Sequence, residues 1–158
     1  MYPIKGKRTR HYAFYDELDI KQLSEDRLME DVFEDALKNG EFQLWYQPKV
    51  DPVTGNILGA EALIRWKRPD GTMLSPGKFI PLFEKNGNIT TLDEYVFRTV
   101  CAQQQRWLQA GAKLYPISVN ISRVSLYYSN VVDKYRELLN SFQLDPKYVP
   151  LEITESAT

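Results

Sequence analysis

The sequence predicts an α/β fold in which parallel strands alternate with helices. From residue 58 onward, short stretches with the two-residue period of strands alternate with stretches of helical period. Their order is strand, helix, strand, helix, strand, which is typical of α/β folds with parallel pairing. A hairpin precedes this series, because a strand-like stretch at 42–50 is separated from the next strand only by a tight turn.

The elements before residue 67 are a helix and this hairpin. Apolar residues at helical spacing predict a helix from Glu25 to Lys38, and Asn39-Gly40 is a helix-ending signal. These apolar residues are Leu28, Val32, Ala36 and Leu37. The residues at 51–56 have turn chemistry, so the strand before them is expected to pair antiparallel with the strand after them.

The elements after residue 67 continue the alternation. Thr91 and Glu94 match a capping box, which satisfies the free amides at a helix start, and the negative charge of Asp93 suits the same position. One face of this helix is predicted to hold Leu92, Val96, Val100, Gln103 and Trp107. The other predicted elements are a loop at 67–75, a short helix at 76–83, a helix end near Gly111, a strand at 115–121, a helix around 130–143 and a strand from Val149.

Three of the predicted strands each carry an oxygen-bearing side chain opposite their apolar face. These residues are Glu61, Asn120 and Glu152, and Arg65 shares the face of Glu61. If the strands lie side by side, the three side chains converge, and their oxygens suit Mg²⁺, Mn²⁺ or Ca²⁺. The alternative is that each one makes an ordinary hydrogen bond near a strand end.

The composition indicates a globular chain without a strong overall charge. The 158 residues include 20 basic and 21 acidic ones, a net charge of −1, and 43% of them are hydrophobic. We therefore expect no nucleic acid polymer as a partner. No stretch approaches the ~20 apolar residues of a membrane helix, so we expect no membrane contact by this segment, although a longer parent protein has room for membrane or sensor regions upstream.

The cysteine and histidine content restricts the chemistry further. Cys101 is the only cysteine and lies on the apolar side of a predicted helix, which favours a buried, reduced thiol and a cytoplasmic setting. The only histidine, His11, is remote from the strands. This argues against Ser-His-Asp or Cys-His catalysis and against a histidine-rich zinc site, and it leaves metal-activated water with oxygen ligands.

Five sequence motifs occur in a recognisable order. They are Tyr-Gln-Pro-Lys at 46–49, Glu-Ala-Leu-Ile-Arg-Trp at 61–66, Ser-Pro-Gly-Lys-Phe-Ile-Pro at 75–81, Ser-Val-Asn-Ile-Ser at 118–122 and Leu-Glu-Ile-Thr-Glu-Ser at 151–156. In this order they resemble the EAL domain, the bacterial cyclic di-GMP phosphodiesterase. The resemblance covers roughly residues 27 to 158 and implies a partial TIM-type (βα) barrel with an antiparallel first strand.

The resemblance also implies roles for single residues. Glu61, Asn120 and Glu152 match the family's ligands for Mg²⁺ or Mn²⁺, near the C-terminal ends of their strands. Arg65 matches a residue that holds a substrate phosphate, with a salt bridge to a loop acid as the alternative. Gln47 matches a substrate contact, with a backbone cap as the alternative.

Three further residues are interpreted through the same resemblance. Leu63 would line the substrate pocket, and Pro76 together with Phe79 would border a guanine base; hydrophobic packing is the alternative for each. Glu155 is interpreted as support for the ligand strand or as a loop contact.

The function implied for an intact domain is metal-assisted hydrolysis of cyclic di-GMP to linear pGpG. The alternatives are a non-catalytic domain that binds cyclic di-GMP or a protein, and a structural or dimerising fragment. A barrel of eight strand–helix units typically needs about 250 residues, so residues 21–158 are expected to be the N-terminal half of an EAL domain, with the general base in the second half. We therefore expect the chain alone to be inactive and, because half a barrel exposes strand edges, to form a homodimer.

The N-terminal segment has a resemblance of its own. Residues 1–15 resemble the tail of a GGDEF domain, the diguanylate cyclase module, which commonly ends in a basic glycine-containing turn and a short aromatic strand. Residues 1–20 are therefore interpreted as such a tail plus a linker. The alternatives are a basic surface arm and, because lysine and arginine cluster there, a nucleic acid contact.

Overall fold

The computed structural model describes residues 5–128 and 130–155, and within them the side chains of residues 17–127 and 130–155. The helices are α1 (Lys5–Lys38), α2 (Pro76–Asn86), α3 (Asn88–Gln109), α4 (Arg123–Tyr128) and α5 (Val131–Ser141), and a 3₁₀ turn covers Pro146–Tyr148. The strands are β1 (Phe42–Val50), β2 (Ile57–Lys67), β3 (Met73–Leu74), β4 (Ile117–Ser122) and β5 (Leu151–Thr154).

The strands form one five-stranded sheet, in which β1, β2, β4 and β5 lie side by side in that order and the short β3 pairs with β2. β1 and β2 form the predicted antiparallel hairpin, with Gln47 opposite Glu61. β2 pairs in parallel with β4, and β4 pairs in parallel with β5. This mixed sheet, with helices between its parallel strands, confirms the predicted α/β class and the antiparallel first strand.

The core lies on the face of the sheet that holds Ala62, Trp66 and Val119, and it consists of two clusters. One cluster joins β2 and β4 to α3 and α5, with Phe97 stacked on Tyr135 at 4.3 Å between ring centroids. The other cluster is aromatic and joins α1, β1, β2 and α2 through Phe33, Phe42, Trp66, Phe79 and Phe83. Burial of several large aromatic side chains supplies a large hydrophobic driving force. Phe79 is fully buried in this cluster, so packing accounts for it.

α1 differs from the predicted helix in its start and in part of the face that it buries. It begins at Lys5 rather than Glu25, so the implied aromatic strand is absent from residues 5–15, and the proposed boundary at residue 20 lies inside the helix. Residues 1–4 of that segment lie outside the described residues. Of the predicted residues, Ala36 is buried and Val32 and Leu37 pack against the core, whereas Leu28 is 59% exposed. Met29 and Phe33, which were not predicted, are buried as well. The helical period was predictable, but the contacts of Phe33 with Phe42 and Phe83 determine which face is buried.

α3 also begins earlier than predicted. It starts at Asn88 after Gly87, whose φ of 87° ends the preceding helix, so the predicted capping box at Thr91 is wrong. Glu94 instead pairs with Lys134 at 2.6 Å, which links α3 to α5. Asp93 lies within the helix and is buried, so the prediction that it stands at a helix start is also wrong.

Other features of the fold depend on short-range or whole-chain context. The two-residue strand β3 pairs with the end of β2, and α4 follows β4 directly; neither has enough residues to show a period in the sequence.

Cys101 is buried as predicted, and burial raises the pKa of its thiol to about 12. Among the described residues, we find no helix with both the length and the apolar character needed to cross a membrane.

Candidate functional site

The second face of the sheet carries the polar residues that the sequence singles out. Residues paired directly across neighbouring strands point to the same face. Gln47 is paired with Glu61, Glu61 with Ser118, and Asn120 with Glu152. One face therefore holds Glu61, Asn120 and Glu152 on three adjacent strands, together with Gln47 on β1.

Hydrogen bonds link side chains on this face in two separate sets, one at Glu61 and Asn120 and one at Lys49, Ser118 and Glu152, which together are called the polar network here. The Asn120 amide donates from Nδ2 to Glu61 Oε2 at 3.0 Å. The Lys49 ammonium donates to Glu152 Oε1 and to Ser118 Oγ, each at 3.1 Å. Lys49 belongs to the Tyr-Gln-Pro-Lys motif but was not predicted as a site residue; the two-residue period on β1, which places it on the face of Gln47, is the signal that could have found it.

The predicted metal ligands differ in their positions along the strands. Asn120 and Glu152 each lie two residues before the end of a strand, β4 and β5. Glu61 lies near the middle of β2, so the expectation that it is near a C-terminal strand end is wrong. The reason is that β2 extends beyond its parallel partner, pairing with β4 only through Ala60–Ala62, and continues as a partner of β1 and β3.

A cavity of about 200 Å³ lies beside this network. Four of the predicted site residues line it: Leu63, Arg65, Pro76 and Asn120. Gln47, Glu61 and Glu152 do not line it. The predicted residues thus fall into a polar network on the sheet and a neighbouring cavity, which share Asn120.

Arg65 contacts an aromatic ring that the sequence-based prediction missed. Its guanidinium lies 5.5 Å from the centroid of the Trp45 ring, and Nη1 donates to the Ile64 carbonyl at 2.8 Å. Trp45 is paired with Leu63 in the hairpin, so strand parity was the signal that could have found it. In the described part of the chain no carboxylate forms an ion pair with Arg65, so the salt-bridge alternative has no support there.

Asp93 is a second residue whose position follows only from the tertiary structure. Its Oδ2 accepts hydrogen bonds from Ser122 N at 2.9 Å and from Ser125 Oγ at 2.6 Å, where β4 passes into α4. Ser122 Oγ donates to Glu84 at 2.6 Å, so helices α2 and α3 both hold the end of the strand that carries Asn120. Burial raises the pKa of the Asp93 carboxyl to about 6, against the opposing effect of the two serines.

The donor chemistry of the polar network suits a hard divalent cation. Glu61, Asn120 and Glu152 offer carboxylate and amide oxygens, the ligand types of Mg²⁺ and Mn²⁺. Among the described residues there is no group of three or more histidine, cysteine, aspartate or glutamate side chains that could hold a metal ion. These three residues therefore fit as a partial set of ligands. Glu155, in contrast, is exposed and pairs with Arg123 at 3.0 Å.

Comparisons with known proteins agree with this fold. The family model of the EAL domain matches residues 30–158. The bifunctional diguanylate cyclase/cyclic di-GMP phosphodiesterase MucR of Pseudomonas aeruginosa is 34% identical over 157 residues, which are 99% of this chain and 23% of MucR. The cyclic di-GMP phosphodiesterase NbdA of the same organism is 31% identical over 157 residues, which are 99% of this chain and 20% of NbdA.

Solved structures show the same architecture. The MucR phosphodiesterase in complex with c-di-GMP is 35% identical, with a TM-score of 0.72, covering 78% of this chain and 50% of that one. The cGMP-bound EAL enzyme Bd1971 is 27% identical, with a TM-score of 0.73, covering 94% of this chain and 40% of that one. The chain thus spans at most half of these structures and less than a quarter of MucR and NbdA.

The sheet with its inverted first strand defines the class of the protein as α/β, with the architecture of part of a TIM-type barrel. The chain belongs to the EAL domain family.

Proposed function

We propose that this chain is the metal- and phosphate-binding half of a cyclic di-GMP phosphodiesterase domain, which hydrolyses cyclic di-GMP to linear pGpG. The observation that carries the proposal is the grouping of Glu61, Asn120 and Glu152 on one face of the sheet, beside a cavity that Arg65 lines. Metal-assisted hydrolysis of a phosphodiester uses a cationic partner for the phosphate close to oxygen ligands for the metal, and this grouping offers both.

The cavity residues provide the substrate contacts in this proposal. Arg65 has a guanidinium that fits two phosphate oxygens at once, and its contact with Trp45 orients that group. Leu63 and Pro76 offer apolar surface to a base, and Gln47 lies on the same face for a polar contact. The cavity of about 200 Å³ is smaller than the 300–1,000 Å³ of typical small-molecule sites, so it takes one part of the dinucleotide.

The polar network provides the metal ligands. Glu61, Asn120 and Glu152 would hold Mg²⁺ or Mn²⁺. When bound, such an ion would lower the pKa of a water molecule and neutralise negative charge that develops at the phosphorus. The Asn120–Glu61 hydrogen bond already brings two of these side chains together. We assign the general base to the second half of the barrel, as the family resemblance implies; this chain covers 50% of the solved MucR phosphodiesterase.

A second candidate function is binding of cyclic di-GMP, or of a protein, without hydrolysis. The observation that favours it is the ion pair between Lys49 and Glu152, which places a protein cation on one of the proposed metal ligands. A receptor would retain the contacts of the Arg65 cavity and lack metal-dependent turnover.

A chimera separates the two functions. Residues 30–155 replace the matching part of the MucR phosphodiesterase domain, and pGpG is followed by chromatography with Mg²⁺ or Mn²⁺. Turnover that is lost in Glu61→Gln supports the enzyme, whereas binding of cyclic di-GMP without turnover with either metal supports the receptor. A folded chimera that neither binds nor hydrolyses cyclic di-GMP would overturn both. The 158-residue chain alone is expected to be inactive; hydrolysis by it would contradict the assignment of the base.

We also propose a setting for the chain within a cytoplasmic signalling protein. MucR, which matches 99% of the chain, is named as both a cyclase and a phosphodiesterase, which favours a GGDEF-like module before residues 21–158. Helix α1 runs through the proposed boundary at residue 20 and would then be a helical connector. A homodimer is proposed because the strands at both edges of the sheet expose apolar side chains.

A further inference from the structure

The side chain of Lys49 reaches across most of the sheet. Lys49 is on the edge strand β1, opposite Gly59 of β2. Because glycine has no side chain, nothing on β2 at this position blocks the path of the lysine across the polar face. Its ammonium donates to Ser118 Oγ on β4 and to Glu152 Oε1 on β5, both at 3.1 Å.

The buried hydroxyl of Ser118 is oriented to accept this lysine. Ser118 Oγ also lies 3.4 Å from the Ala60 carbonyl, to which it donates. Its proton is therefore directed at Ala60 and its lone pairs at Lys49. Since Ser118 is paired with Glu61, and Glu152 with Asn120, the ammonium lies on the sheet face that holds the three proposed metal ligands, and it contacts one of them, Glu152.

A positive charge in this position opposes a divalent ion in two ways. It occupies Glu152 Oε1, and it repels any second cation at the neighbouring oxygens. The side chains of Lys49 and Glu152 are 46% and 45% exposed, so their ion pair is weak and can be displaced.

We propose that Lys49 is a tethered cation that competes with the divalent metal for Glu152, so that displacement of Lys49 determines the metal affinity of the site. This inference rests on the proposed metal site at Glu61, Asn120 and Glu152. The metal-bound state then has Glu152 released from Lys49, and the metal-free state has Glu152 held by it.

The test is Mn²⁺ binding to the 158-residue chain, measured from the electron paramagnetic resonance signal of free Mn²⁺. Lys49→Met and Lys49→Gln remove the charge and are expected to tighten binding on the order of tenfold. Lys49→Arg keeps the charge and is expected to retain the original affinity. Lys67→Met is the matched control for net charge, because Lys67 is an exposed residue at the far end of β2.

The outcomes distinguish this inference from the proposed function. If the Lys49→Met and Lys49→Gln chains fold and bind Mn²⁺ no more tightly than the parent, the competition is refuted. Equal tightening by Lys67→Met would refute it as well, since the effect would then be one of net charge. Glu61→Gln should weaken binding in both the parent and the Lys49→Met chain. If it does not, the ion lies elsewhere and the proposed metal site fails along with the inference.

Discussion

At the scale of single residues, the buried carboxylate of Asp93 ties the stability of the fold to pH. Its surroundings raise its pKa from 3.8 to about 6, chiefly through burial. The folded state therefore binds a proton more tightly than the unfolded state. The resulting stabilisation is fully present below pH 3.8 and is lost as the pH rises through about 6.

Asp93→Asn is expected to reduce this pH dependence. Both hydrogen bonds at Asp93 go to Oδ2, so an amide oxygen can accept them without a charge. In the parent chain the unfolding free energy is expected to fall as the pH rises from 3.8 through about 6. In Asp93→Asn this fall should be smaller by on the order of 2–3 kcal/mol, measured by urea unfolding at a series of pH values. Asp70→Asn is the control, because hydrogen bonds from Thr72 lower the pKa of Asp70 and give the opposite sign. An unchanged slope in Asp93→Asn would contradict the prediction.

Gly59 lies at a close approach between two strands. A Cβ at this position would be 2.5 Å from the Pro116 carbonyl oxygen, which accepts a hydrogen bond from Ala60 N at 2.9 Å. Gly59→Ala must therefore move β2 relative to the start of β4, and we expect it to cost about 1–3 kcal/mol of unfolding free energy in urea titrations.

Gly77→Ala is the matched control for this substitution. Gly77 is in α2, and a Cβ there would meet nothing within 4 Å. It is expected to be neutral or to stabilise the chain by up to about 1 kcal/mol. Equal losses in the two variants would show that the contact with Pro116 is not responsible.

At the scale of elements, one side chain of α3 donates hydrogen bonds to the backbone just before two strands of the sheet. Gln104 is fully buried and donates from Nε2 to the carbonyls of Tyr115 at 2.7 Å and Tyr148 at 2.9 Å, which precede β4 and β5. The sequence pattern placed Gln103, rather than Gln104, on the apolar face of this helix. In the structure Gln103 accepts a hydrogen bond from Arg106 of the same helix. The alignment of the strands that carry Asn120 and Glu152 therefore depends on Gln104.

Gln104→Met is expected to destabilise the chain by about 1–3 kcal/mol, because two carbonyls lose their donor in the interior. Gln103→Met, the neighbouring control, should change the unfolding free energy by less than about 0.5 kcal/mol. Both are measured by urea unfolding. If the two substitutions have the same effect, the bridging role of Gln104 is refuted.

At the scale of the whole molecule, β1 and β5 are edge strands that expose apolar side chains. Ile153 on β5 is 60% exposed, and Trp45 on β1 is 54% exposed. Open strand edges with apolar side chains favour pairing with another chain. We therefore expect the chain to self-associate at micromolar concentration.

Light scattering over a dilution series measures this association. Ile153→Lys should shift the chain toward monomer, because it places a charge on the β5 edge. Val53→Lys is the control, since Val53 is 91% exposed in the hairpin turn, away from β5. A parent chain that stays monomeric throughout the series would contradict the expectation.

The sequence by itself determined the order of the main elements, the hairpin and the two faces of the strands. Strand period depends only on neighbouring residues, so parity was enough to place Glu61, Asn120 and Glu152 on one side. The five motifs were enough to identify the family that the comparisons confirm.

Only the tertiary structure decided which of several equivalent positions is buried or bonded. Gln104 rather than Gln103, and Phe33 rather than Leu28, face the interior because partners distant in sequence lie there. The same holds for Lys49, which meets Glu152 more than 100 residues later in the chain. Local periodicity carries no information about such partners, because they are brought together only by the packing of the sheet against its helices.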